Sequence, residues 1–149
     1  MLSQLTADDR ELVTAARRIT TDRFEHGRHY VGTAVRTGTD DVVTAIHMEA
    51  NVSRATVCAE PIALGKAVSA GYDKFETIVS VRHPAPTEDA NGLSLVAPCG
   101  VCRELISDYA PDADVIHPAT DGDEVEKSPI SDLIPYKYRT SYRATHLDR

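Results

Sequence analysis

Three cysteines and one glutamate stand at spacings that can do hydrolytic chemistry. Cys58 is followed two residues later by Glu60, and further along Pro98 precedes Cys99-Gly100-Val101-Cys102. Cys99 and Cys102 are spaced to chelate one ion together across a turn, and Cys58 can close the site from elsewhere in the chain. A catalytic zinc takes three protein ligands, leaves its fourth position for water, and lowers the pKa of that water towards neutrality. The chain has three cysteines, which meets that count with none to spare. A carboxylate two residues from a ligand can sit beside the metal without binding it and carry a proton from water to a leaving amine. That makes Glu60 the candidate acid–base residue. Cys-x-x-Cys alone also serves as a redox pair, or as half of a structural zinc site in which a histidine supplies the fourth ligand. A redox pair leaves Cys58-Ala59-Glu60 without a purpose.

These residues need elements to bring them together. Leu12, Ala15, Ala16 and Ile19 form an apolar stripe that predicts a helix over 7–23, with Thr6 as N-cap and Asp8 and Asp9 in its first turn. Two β-rich runs, 30–36 and 42–48, flank Gly38-Thr39-Asp40-Asp41 and predict a hairpin. Helical spacing returns over 57–70 and stops at Gly71. A strand is expected over 75–81, a loop over 83–97, a helix over 100–109, a strand over 113–116 and a short helix over 128–134. An aromatic and basic tail follows: Tyr136, Lys137, Tyr138, Arg139, Tyr142 and Arg143. This alternation predicts an α/β fold, a three-layer α/β/α sandwich with a mixed sheet of about five strands, in one domain over 1–149. Both cysteine motifs open predicted helices, whose free N–H groups and positive dipole ends favour thiolates.

Composition excludes other classes. A formal net charge of -7 opposes a nucleic-acid partner, because the chain repels phosphates. No apolar run reaches the ~18 residues of a membrane span, and the polar start does not read as a signal peptide. A cytoplasmic location follows, and there an odd set of cysteines points to metal or redox chemistry before disulfides.

Cys58-Ala59-Glu60 with Pro98-Cys99-Gly100-Val101-Cys102 is the arrangement seen in zinc base deaminases. From about residue 28 to residue 138 the chain resembles the cytidine deaminase family, in particular its small three-cysteine branch, with features of the blasticidin S deaminase type. The resemblance implies one zinc per subunit, a small-molecule substrate, and active sites completed by neighbouring subunits in a homotetramer, or else a homodimer. It implies that Arg103 hydrogen-bonds a zinc thiolate, while Glu104 stands where the family has Gln. It also implies substrate contacts by the backbone at Ala59 and Cys99, by Glu49 and by Tyr138, the last within Leu133-Ile134-Pro135-Tyr136-Lys137-Tyr138.

The substrate-facing positions depart from the family. His47-Met48-Glu49-Ala50 replaces a ribose-binding Asn-x-Glu-Asn, and His29 holds the position of a Phe. Each of His29, His47 and Glu49 also has a plain reading as a satisfied structural or surface group. Pro61 follows Cys-Ala-Glu where cytidine deaminases carry Arg, so Arg103 would carry more of the charge compensation at a more negative site. The expected activity is zinc-dependent hydrolytic deamination of cytidine, deoxycytidine or a closely similar aminopyrimidine nucleoside, releasing ammonia. The alternative substrate is a nucleoside antibiotic of the blasticidin S kind or another amino-heterocycle. A different class remains, a zinc-stabilised binding or immunity-like module without turnover, which needs four saturated ligands. Polynucleotide editing is opposed by the acidic charge and the short chain.

Overall fold

The computed structural model describes residues 5–120 and 124–139. Helix α1 spans Ala7–Arg23 and opens with a capping box: the Asp9 N–H donates to Thr6 Oγ1, and the Thr6 N–H donates to the Asp9 carboxylate. Strands β1 (Val31–Thr37) and β2 (Val42–Ile46) form the expected hairpin, with Gly32 opposite Ile46 and Arg36 opposite Val42. Helix α2 (Ala59–Ser69) ends at Gly71, whose φ of 96° is the left-handed conformation that glycine supplies at a helix end. Then follow β3 (Phe75–Arg82), β4 (Ser94–Val96), α3 (Gly100–Tyr109), β5 (Asp114–Pro118), β6 (Val125–Pro129) and α4 (Ile130–Leu133).

The strands form one mixed sheet in the order β2-β1-β3-β5-β6, with β4 paired to β3 beside that path. Strand β3 is the centre. One edge lies antiparallel to β1, while the other is divided between β5, parallel along Thr77–Val79, and β4, antiparallel along Ser80–Arg82. Alternation along the strands sends residues to two faces. Ala34, Val79, Val81 and Ile116 meet Leu12, Val13 and Ala16 of α1. Val35, Ile78 and Val115 meet Ala63, Leu64 and Ala67 of α2 and Ile106 of α3. Gly32 allows α1 to lie close, since a Cβ there would collide with Thr20 and Ile19.

The α/β sandwich is as expected, but the sheet has six strands where about five were predicted. Strand β4 lies inside the segment 83–97 expected to be loop. Strand β6 arises from Val-Glu-Lys-Ser-Pro, a polar run with no apolar alternation. An edge strand with one neighbour and mostly solvent around it needs no such pattern. The last helix is shorter than 128–134 because Ser128 and Pro129 pair with β5 instead. The second hairpin strand stops at Ile46, and Met48 pairs with Val57. Tyr142 and Arg143 lie outside the described residues.

Candidate active site

Cys58 and Cys99 are the N-cap residues of α2 and α3. The two helix starts meet at one end of the sheet and bring the three sulfurs together. Cys58 Sγ lies 3.8 Å from Cys99 Sγ, and Cys99 Sγ lies 3.4 Å from Cys102 Sγ. All three fall within 4.8 Å of one another. Their environments differ, with Cys102 buried, Cys58 half-buried and Cys99 exposed. Burial pushes the Cys102 thiol strongly up, with the nearby Glu60 charge adding to it, and burial also raises Cys58. Burial opposes ionisation of Cys99 too, but the Cys102 N–H, the neighbouring thiols and the Val101 N–H outweigh it and bring this thiol below its ordinary range. Burial thus dominates at Cys58 and Cys102, while at Cys99 the N–H groups of the helix start outweigh it.

Three thiols this close ionise together only against a cation. The donor set fits zinc: soft ligands, three in number, with a fourth tetrahedral position left for water. Among the described residues no histidine or carboxylate joins the cluster as a further ligand, which opposes a closed structural site. Pro61 causes no conflict in α2. It stands in the first turn, where backbone N–H groups have no intrahelical partner.

Glu60 is 4% exposed and sits in the first turn of α2. Its Oε2 lies 3.5 Å from Cys102 Sγ, on the cysteine side. Its Oε1 accepts a 2.9 Å hydrogen bond from the Ser80 hydroxyl, whose oxygen is 2.7 Å from Thr33 Oγ1. The sequence reading missed Ser80 and Thr33. Their signal was one hydroxyl inside each of two locally apolar runs, 32–35 and 78–81, on the face that also carries Ile78 and Val35.

The other anticipated residues are placed as follows. The Arg103 guanidinium donates to the carbonyls of Pro98 at 2.8 Å and Leu133 at 3.1 Å, so its described hydrogen bonds hold the Cys99 turn to α4 instead of reaching a sulfur. His47 is buried, and its Nδ1 accepts the Tyr30 N–H at 2.8 Å and the Val31 N–H at 3.2 Å. The ring proton is thereby left on Nε2, which donates to Glu49 Oε2 at 3.2 Å. Thr56 donates to Glu49 Oε1 at 3.1 Å, and together these bonds hold the Glu49 carboxylate below its ordinary pKa range, His47 contributing most. His29 Nδ1 lies 2.8 Å from the His47 carbonyl oxygen. Met48 and Val57 exchange backbone hydrogen bonds, which joins this segment to the residues leading into Cys58. Ala59 is fully buried beneath the helix start.

A groove of about 1050 Å³ opens over the cysteines, lined among others by Arg54, Pro61, Val101 and Tyr138. Tyr138 reaches it because Lys137 anchors the segment, donating to Ser107 Oγ and Asp108 Oδ1, both at 2.6 Å, and lying 3.4 Å from Glu104 Oε1. Glu104, where the family has Gln, thus has a cation beside it. Glu60, Ala59, His29, His47 and Glu49 stand behind its lining residues, and Thr56, which lines it, donates to Glu49 Oε1.

Comparison with known proteins agrees with this geometry. Residues 6–117 match the family described as the cytidine and deoxycytidylate deaminase zinc-binding region. The chain is 47% identical over 134 residues to blasticidin-S deaminase from Bacillus cereus, covering 90% of this chain and 94% of that protein. The fold superposes on cytidine deaminase from Burkholderia pseudomallei with a TM-score of 0.70 at 26% identity, covering 90% of this chain and 100% of the other. For cytidine deaminase from Bacillus anthracis the TM-score is 0.74 at 18% identity, covering 94% and 96%. A match over most of the length, centred on sulfurs already placed to share one ion, shows that the chain belongs to the cytidine and deoxycytidylate deaminase family, and it is accordingly a zinc-dependent hydrolytic deaminase.

Proposed function

We propose that the chain hydrolyses the exocyclic amine of cytidine, deoxycytidine or a closely similar aminopyrimidine nucleoside. The observation that carries this reading is the placement of Glu60, buried beside the three-sulfur cluster with one carboxylate oxygen turned towards it. Cys58, Cys99 and Cys102 would hold zinc, which would supply Lewis acidity and make water easier to deprotonate. Glu60 takes one proton from the attacking water and delivers it to the ring nitrogen, then takes the second from the hydroxyl so formed and delivers it to the leaving amine as the carbonyl forms. Water enters, ammonia leaves, and a carbonyl replaces the amine, so atoms and charge balance. Backbone groups at Ala59 and Cys99, at the starts of α2 and α3, hold the base. Glu49 accepts hydrogen bonds from sugar hydroxyls, with His47 and Thr56 fixing its carboxylate. His29 supports His47 from behind, and Tyr138 covers the open side of the groove. The protein acts in the cytoplasm as a homotetramer of single-domain subunits, 1–149, each holding one zinc.

A second reading has its own support. The relative at 47% identity is a blasticidin-S deaminase, and His47 and Pro61 stand where cytidine deaminases carry Asn and Arg. On this reading the substrate is a nucleoside antibiotic or another amino-heterocycle. A panel of cytidine, deoxycytidine, blasticidin S, guanine and adenosine, followed by ammonia release, separates the two. Turnover of cytidine or deoxycytidine supports the first. Turnover of blasticidin S with both nucleosides idle transfers the assignment to the second. Turnover of a purine alone contradicts the first and places the substrate among the other amino-heterocycles of the second.

A further inference from the structure

Two hydroxyls lie inside the sheet where the surrounding strand positions are apolar. Thr33 is fully buried and Ser80 is 2% exposed, between Gly32 and Ala34 on β1 and between Val79 and Val81 on β3. The two strands pair antiparallel with Thr33 directly opposite Ser80. Burying a hydroxyl costs free energy unless it is hydrogen-bonded, and an apolar residue at either place would serve packing as well. Both hydroxyls are satisfied in one direction only. An ionised carboxylate accepts and does not donate, so the single Ser80 hydrogen goes to Glu60 Oε1 at 2.9 Å. Thr33 then donates to Ser80 Oγ at 2.7 Å.

We propose that Ser80 and Thr33 are positioning residues for Glu60: a buried donor chain from β1 through β3 that fixes one carboxylate oxygen and turns the other to the cysteine cluster. The chain occupies Oε1 and leaves Oε2, the oxygen 3.5 Å from Cys102 Sγ, as the one that handles the proton. Glu60 stands in the first turn of a helix, and its side chain has several rotamers within reach. The hydroxyl selects one of them before substrate arrives. Such preorganisation matters because misplacing a reacting group by about 1 Å can cost on the order of a hundredfold in rate.

This proposal rests on the deaminase reading for its kinetic arm, and a crystallographic arm tests it without activity. Three variants are made in the full-length, zinc-loaded protein: Ser80→Ala, Thr33→Val and Thr33→Ser. Ser80→Ala is expected to lower kcat roughly 10- to 100-fold with KM within about twofold and zinc content unchanged. Thr33→Val, which keeps the shape and removes the donor, is expected to lower kcat a few-fold, and Thr33→Ser to restore it. Crystal structures should show the Glu60 carboxylate displaced or divided between rotamers in Ser80→Ala, and in its original place in Thr33→Ser. Wild-type kcat in Ser80→Ala, or an undisturbed Glu60 in its structure, overturns the proposal. If Ser80→Ala fails to fold, equal kcat in Thr33→Val and Thr33→Ser overturns it. If the wild-type protein releases no ammonia from any nucleoside, the deaminase reading of the substrate fails, and the Glu60 conformation in the variants still decides the role of Ser80.

Discussion

The two faces of the sheet are built from alternate residues of the same strands and do different work. Towards α1, β1 and β3 present Ala34, Val79 and Val81 to Leu12, Val13 and Ala16, an apolar contact bordered by Arg36, which bonds Asp8 and Glu11 of the helix. Towards α2 and α3 the same strands present Val35 and Ile78 and then change character to Thr33 and Ser80, beneath Glu60 and the cysteine cluster. One face stabilises the fold. The other is apolar where it packs the helices and polar where it meets their N-termini. Moving one residue along a strand therefore crosses from stability to chemistry, and substitutions on the two faces should separate accordingly.

The largest effect expected on the packing face is from Leu12→Ala. Leu12 is fully buried, and its loss should cost roughly 2–5 kcal/mol of folding stability. Thermal denaturation checks this, and kcat below the transition should stay at the wild-type value. A large kcat loss in the folded variant would break the comparison. Arg103→Gln acts on the chemical side without touching Glu60. It removes the guanidinium bonds to Pro98 and Leu133 that hold the Cys99 turn. Zinc affinity, measured by competition with a chelator, should weaken roughly 10- to 100-fold, and unchanged zinc retention would contradict that role.

The smallest effect concerns pH and again belongs to the α1 side. Burial of Asp9 works against its ionisation, but the Lys127 ammonium and the Thr6 N–H outweigh this and lower its pKa in the folded state. A carboxyl depressed on folding contributes stability that is full above its unfolded value of about 4 and is lost as pH falls through the lower folded value. Asp9→Asn should therefore be less stable than wild type at neutral pH, with the gap closing below about pH 4. Denaturant midpoints across pH 2–7 measure the gap, and a constant difference would show that the charge contributes nothing.

Much of this was legible in the sequence, and the reasons are local. The 7–23 helix follows from an apolar stripe, a Thr6 cap and acidic first-turn residues, and it ends where expected. Cys58, Glu60, Cys99 and Cys102 announce themselves by type and spacing, and helix starts bring them together. What was illegible depends on long-range pairing. Strand β6 exists because β5 offers an edge, which its own Val-Glu-Lys-Ser-Pro cannot reveal. The partners of Arg103 are backbone carbonyls that any sequence supplies. Ser80 and Thr33 look like ordinary strand residues until the register sets them opposite each other and below Glu60.

In the proposed reaction Glu60 moves the proton while the three cysteines hold the metal. Glu60→Ala separates these roles in one measurement, zinc content by elemental analysis together with ammonia release on the best substrate of the panel. The expected result is one zinc per chain and a rate lowered by roughly 100- to 10,000-fold. Ammonia release near the wild-type rate with zinc in place would contradict it.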